Sequence, residues 1–490
     1  MTDTTASRVQ AQTTLTLSED WLSVAIGLLV FALALASLGG IDLLGWAATT
    51  KVWTDPTQSL APFAKASDLN GLVALIATFL ALLVVLSGAA AALKANVRRF
   101  ALTFTVTFWL AYAAWILGSY AHLAAITPAE FHKYGISWSL RLTNEGGYIV
   151  TLLLGLIIAN FFPRLAAWLN EAIRPELYVK IAIVILGGFI AVTAASKLHL
   201  ASSVFLRGIA AIVEAYLIYW SIVYFVARKW FGFSREWAAP LASGISICGV
   251  AASIATGGAI RARPQVAVLV SSLVVIFAVI EVLLLPFLAQ TFLAHEPLVA
   301  AAWVGLAVKT DGAAVAAGNI TESLILAKNA MQGVNYQPGW ILGTTTTIKV
   351  FIDIFIGIWA FILAHIWTTY IHATELGARA KFAEIYERFP KFIIGFVVTF
   401  VAGLILALNI GAGQASQLKS AIGEANNFRV IFFILTFFSI GILSNFRRLW
   451  GEGFGKLAAV YVVSLFGFII WAGLIISWLF FHGVRPPLAG

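Results

Sequence analysis

Charge is scarce in this chain: Asp, Glu, Lys and Arg make up 11% of the 490 residues, against 61% hydrophobic. A water-soluble domain carries about 25% charged residues because its surface must face water, so a soluble fold is excluded. Cysteine is nearly absent as well. The single Cys248 rules out an intrachain disulfide framework and a multi-cysteine metal site. HExxH, GxGxxG and P-loop patterns are missing, so any transport is passive or driven by gradients rather than by ATP. His122, His365 and His372 lie scattered near the ends of apolar runs, and neither a metal nor a cofactor is expected. Gly244-Ile245-Ser246-Ile247-Cys248 approaches a nucleophile elbow, but its last position is not glycine and no base is identifiable nearby.

What the chain has instead is apolar length. Residues 21–41, 70–93, 100–129, 237–260, 392–418 and 457–484 contain no Asp, Glu, Lys or Arg. A helix needs about 20 apolar residues to cross a hydrocarbon core about 30 Å thick, and lipid leaves unpaired backbone groups no other partner. Barrel strands would alternate, and these runs do not. The expected fold is an all-α integral membrane protein of about 13 spans, near 22–47, 69–93, 99–126, 148–168, 179–197, 206–227, 237–258, 265–290, 298–318, 339–370, 391–412, 428–446 and 457–481.

Residues 1–20 read as a cytoplasmic tail, and the run behind them is too long for a cleaved signal peptide. The net charge of +9 sits in short connections, where Lys and Arg set topology and meet lipid headgroups; nucleic acid is not an expected partner. More of these residues fall on the side of the N-terminus, which is therefore read as cytoplasmic. Segment 374–390 places Phe382, Tyr386 and Phe389 on one helical face and ends at Pro390, as an amphipathic surface helix would. The organisation expected is three N-terminal helices in 21–145, then a ten-span core divided into 146–298 and 299–490. Five spans per half force opposite orientations, the inverted repeat with broken crossing helices found in secondary transporters. A homodimer is compatible with this layout, the three extra spans lying at its periphery or interface.

A charge at mid-bilayer costs about 2.5–3.5 kcal/mol even on the lenient insertion scale, so ionic groups inside spans carry the information. Lys309, Thr310 and Asp311 interrupt a small-residue span between Gly305, Gly312 and Gly318. Glycines beside charges suit an unwound helix whose free N–H groups and lysine hold an anion; a self-satisfied Lys–Asp pair is the plainer alternative. Ser243, Ser246, Cys248 and Gly249 belong to a second segment rich in hydroxyls and small side chains, which suits either a solute or close helix packing. Lys349 and Asp353, four apart after the run Thr344-Thr345-Thr346-Thr347, share a face and serve as an internal ion pair or in coupling. Glu214 and Glu281 stand alone in apolar spans; an apolar surrounding disfavours the charged carboxylate, which makes each a candidate proton carrier or a neutral hydrogen-bonding group.

These segments carry a resemblance. Leu154-Gly155 with Asn160 and Pro163, Phe231-Gly232-Phe233 leading into Ser246-Ile247-Cys248-Gly249 and Ala255-Thr256, Gly305 through Ala316-Ala317-Gly318, and Gly441-Ile442 before Asn445-Phe446-Arg447 resemble the YeiH-type sulfate exporter family. The resemblance implies a multi-pass permease of the bacterial inner membrane that handles small anions such as sulfate, sulfite or sulfonate and carboxylate metabolites. The chain departs from that pattern in its three extra spans, and in carrying Lys309-Thr310-Asp311 where the family more often shows a His-Glu pair. The expected function is a secondary transporter, an exporter in the family's sense, working by alternating access. The rivals are an anion channel, a membrane-embedded enzyme using Ser246 or Cys248, and a receptor.

Overall fold

The computed structural model describes residues 18–65, 67–125, 128–140, 146–195, 198–371, 390–411, 414–445 and 455–489. Within them the regular structure is helical apart from a small antiparallel sheet, Ala48–Thr50 with Leu60–Pro62, and two isolated bridges. In chain order the main helices are α1 (Glu19–Leu35), α2 (Gly71–Ala92), α3 (Val97–Gly118), α4 (Gly146–Phe161), α5 (Pro175–Ala195), α6 (Leu198–Trp230), α7 (Arg235–Ser246), α8 (Val250–Ala259), α9 (Pro264–Leu293), α10 (Pro297–Ala307), α11 (Asp311–Met331), α12 (Trp340–Ile371), α13 (Phe392–Asn409), α14 (Ala415–Leu443) and α15 (Gly455–Phe481). Among the described residues ten helices are long and apolar enough to cross a membrane, or eleven if α4 and the bent helix Pro163–Leu169 make one span. Side-chain caps begin several of them: Ser18, Asn70 and Asn96 accept from Trp21, Val73 and Arg99 backbone N–H groups.

Three expectations about the spans need correction. The span placed at 148–168 ends at Phe161, because Pro163 forces Phe162 out of helical geometry and the next helix leaves at 115°. The spans placed at 237–258 and 298–318 are not broken helices that cross; each is a hairpin of two helices that turns inside the protein and returns. In the first hairpin, α7–α8, the side chain and backbone N–H of Arg263 bond to Glu236, so the two ends lie together. These bonds hold the Glu236 carboxyl below its ordinary range, the Arg263 side chain first and its backbone N–H second. In the second hairpin, α10–α11, Asn329 Nδ2 donates to Ala294 O at 2.8 Å and Lys328 Nζ to Gln290 O at 2.7 Å. A straight continuation would separate such residues by tens of ångströms, at about 1.5 Å per residue.

Small residues make the first turn-back feasible. Ser243 and Gly244 of α7 lie against Thr256 and Ser253 of α8, and Gly249 at φ +69° turns the chain between them. Helix α9 starts at the base of the first hairpin and ends at the base of the second, so the two open to opposite faces of the helix array. Arg261 and Arg263 therefore share a face with Arg235 and the start of α1, whereas two crossing spans would have put them opposite. The excess of Lys and Arg on that face grows accordingly.

Packing sorts the helices into two groups. Helices α1, α3, α4, α5, α13 and α14 pack on one another, and α6, both hairpins, α9, α12 and α15 form the second group. Helix α1 packs against α5, α13 and α14, while α2 lies on α3 and the small sheet. On the face where α1 begins, Arg174 pairs with Glu19 at 2.6 Å and Lys180 with Asp20 at 2.8 Å. The amphipathic segment expected at 374–390 lies outside the described residues except for Pro390.

Candidate functional site

The tips of the two hairpins meet. A side chain at Gly249 would strike Thr310 Cγ2 at 3.0 Å and Lys309 O at 3.3 Å. A helix that ends inside a protein leaves carbonyls without partners, and the two lysines supply them. Lys349 Nζ, arriving on α12, donates to Ile247 O just past the end of α7 at 2.6 Å and lies 3.5 Å from Lys309 O. Lys309 Nζ donates to Leu306 O near the end of α10 and sits 4.4 Å from the centre of the Tyr219 ring. A cation near a helix C-terminus is also favoured by the helix dipole.

The acidic groups divide by role. Glu281 is fully used: Oε2 accepts from Lys309 N at 2.9 Å and Oε1 from Tyr461 OH at 2.6 Å, so it clamps the second tip to α9 and α15. Glu214 is buried and neither oxygen makes a hydrogen bond; Tyr219 OH, on the next turn, is spent on Ile469 O at 3.1 Å. Residues 214–219 form a widened, π-helical turn, a local form that recurs at functional sites. Asp311 opens α11 with Oδ1 at 3.8 Å from Lys349 Nζ, and Asp353 lies on α12 one turn beyond that lysine. Oδ1 of each aspartate lacks a hydrogen-bond partner.

The hydroxyl and glycine candidates are also placed. Ser243 Oγ is taken by Trp220 Nε1 at 2.9 Å and Thr256 Oγ1 at 2.7 Å, a packing role. Ser246 Oγ, at the first tip, is buried with no partner, and Cys248 beside it is a buried free thiol. Thr310 caps α11 by accepting from Ala313 N, and Gly312 faces Val179 of the other helix group. In the threonine run, Thr345 Oγ1 donates to Ala301 O while its side chain fits against Gly318, and Thr344 Oγ1 is buried and unpaired.

Two cavities lie along the boundary between the helix groups. One of about 400 Å³ is lined by Thr193, Ser202, Phe205, Thr344, Thr347 and Phe400 among others, one turn from Lys349. A second, of about 20 Å³, reaches Thr310 and Gly312 from Glu176 and Val179, with room for roughly one water.

Tyr219, Tyr461 and Glu322 escaped the sequence reading. Glu322 accepts from the N–H groups of Gly339, Ile341 and Leu342 at 2.9, 2.9 and 3.0 Å, capping α12 and so fixing Lys349. Replacing it with Ala leaves those donors buried and unpaired, and unfolding in detergent is expected to show a loss of about 2–3 kcal/mol. Its legible signal was a carboxylate in a helix whose other charges, Asp311 and Lys328, stand near its two ends.

A family model described as Conserved hypothetical protein 698 matches residues 123–460. A UPF0324 membrane protein of Nitrosomonas europaea is 38% identical over 475 residues, 96% of this chain and 97% of its own. One from Rhodopirellula baltica is 30% identical over 318 residues, covering 64% of this chain and 53% of that protein. An uncharacterized protein of Archaeoglobus fulgidus is 46% identical over 187 residues, 34% of this chain and 97% of its own length. These descriptions name no solute. No solved structure matches.

Proposed function

We propose, from the premise that this chain belongs to the conserved family of UPF0324 membrane proteins, that it is a secondary transporter of a small anion. The observation that carries the reading is the meeting of two oppositely directed hairpins around Lys309 and Lys349 in the protein interior. The N-terminus of α8 and the unpaired Ser246 hydroxyl lie at that meeting point, and helix N-termini favour anions. Discontinuous helices with their ends at mid-depth are the usual way transporters build a solute site.

Alternating access is the mechanism the layout favours. The cavities lie between two helix groups, so movement of the hairpin group against the other would expose Thr310 and Lys349 to each face in turn. Glu214, buried and without a hydrogen bond, is the better of the two isolated carboxyls for carrying a proton, since Glu281 holds the second tip in place. By the positive-inside rule, the face that gathers Arg174, Lys180, Arg235, Arg261 and Arg263 is the cytoplasmic one, which puts the N-terminus inside; the bacterial inner membrane is what the family resemblance implies.

Proteoliposomes preloaded with sulfate, sulfite, a sulfonate or a carboxylate test the reading. Saturable counterflow of the labelled anion is the expected result. Flux without counterflow would indicate a channel, and no flux with any of these anions would remove the assignment.

A further inference from the structure

Four buried carboxyls, Glu214, Glu281, Asp311 and Asp353, surround or adjoin two buried lysines, Lys309 and Lys349. With Glu214 holding the proton assigned to it above, three carboxylates still stand against two lysines, so the interior is negative by one charge before any anion arrives. An arriving anion deepens that deficit, and uncompensated charge in a dry interior is strongly unfavourable. Something cationic must accompany it.

The structure places that requirement at one point. The Cys248 sulfur and one carboxylate oxygen from each of Asp311 and Asp353 lie within 4.8 Å of one another, each from a different element: the first tip, the second tip and α12. The residues are 2%, 7% and 1% exposed, so water does not satisfy them. Asp311 Oδ1 and Asp353 Oδ1 have no hydrogen-bond donor, although carboxylates so deeply buried normally do, and the two carboxyls lie against each other. Lys349 is the ammonium beside them, 3.8 Å from Asp311 Oδ1, and it is also committed to Ile247 O.

We propose that Asp311 and Asp353, together with the carbonyl oxygens at the hairpin tips, bind one Na+ ion. The charge count selects the valence. Two carboxylates against Lys349 leave a single negative charge, which one monovalent ion cancels and a divalent ion overshoots. The donor set selects the type: carboxylates and main-chain carbonyls are hard oxygen ligands, and a single thiol does not make the site a soft-metal centre. Carbonyls at half-helix ends hold Na+ in other transporters, and Ile247 O and Lys309 O are such carbonyls, each with a second lone pair beyond the one that faces the Lys349 ammonium. A cation at this point joins both tips to α12, so its binding would fix the geometry of the anion site. The inference rests on the transporter reading for its consequence, but not for the binding itself.

The test uses full-length protein in detergent with no added sulfate. Radiolabelled Na+ is expected to bind saturably, near one ion per chain, and binding should vanish in Asp353→Asn while persisting in Glu236→Gln at the exposed hairpin base. NaCl should raise the unfolding temperature of the unaltered protein above that in choline chloride of equal ionic strength. This second readout keeps the proposal open to refutation if Asp353→Asn fails to fold. Absence of saturable Na+ binding, as coupling by protons alone would give, overturns the proposal; so does binding that survives Asp353→Asn, or equal unfolding temperatures in the two salts. Because none of the candidate solute anions is present, Na+ binding without counterflow would sink the anion assignment alone, and counterflow without Na+ binding would sink only this site.

Discussion

Lys349→Met is expected to lower stability by about 3–5 kcal/mol, the range seen when one partner of a buried ion pair is removed. Anion counterflow should disappear with it. The ammonium does three things at once: it donates to Ile247 O, faces Asp311 and lies close to Lys309 O. Methionine preserves the length and fills the space, so the loss is electrostatic and not a cavity effect. It strands two aspartates without their neighbouring cation and unpairs a carbonyl in the protein interior. A double variant separates these contributions. Lys349→Met with Asp311→Asn removes one charge of each sign, and unfolding measurements should recover more than half of the lost stability. If the double variant is no more stable than the single one, the charge balance described here is not what Lys349 provides.

Gly249→Ala is expected to be the second severe change, abolishing counterflow and costing at least about 2–3 kcal/mol, more than a compatible Gly→Ala exchange could ever return. Gly249 has φ +69° and ψ −101°, a backbone state that residues with a side chain rarely adopt. An added methyl group would also lie 2.8 Å from Val274 Cγ1 and 3.0 Å from Thr310 Cγ2, driving the two tips apart. Gly257→Ala on α8 is the matched control. Its added carbon would meet only Ala267 Cβ at 3.3 Å, so a small shift accommodates it. Unfolding temperature and counterflow, measured on both variants, should separate them clearly; equal effects would mean that tip contact is unimportant.

The crossing helices were legible because lipid demands length and apolarity, both of which a sequence displays directly. Lys309, Asp311, Lys349 and Asp353 were legible for the converse reason: an ion within an apolar run stands out wherever the run goes. The hairpins were not. Helices of 12 and 10 residues add up to the length of one span, and their composition is that of one span. What distinguishes a return from a crossing is Glu236 meeting Arg263 across 27 residues, and nothing local in the sequence announces that meeting. Hydroxyls posed a similar problem. Ser243 and Ser246 look equivalent in sequence, yet Trp220 and Thr256 occupy the first and nothing occupies the second. Nothing in the sequence around Tyr219 and Tyr461 marks them as the neighbours of Lys309 and Glu281.

The bond from Lys349 to Ile247 spans 102 positions of the chain. A ribosome adding residues one at a time exposes the first hairpin long before its partner lysine exists. During that interval the turn at Ile247 has a bare carbonyl and cannot settle in hydrocarbon on its own. The inward turn of α7 and α8 is therefore expected to close only once α12 has emerged, and the clamp from Tyr461 on Glu281 later still, so the heart of this protein is completed near the end of synthesis.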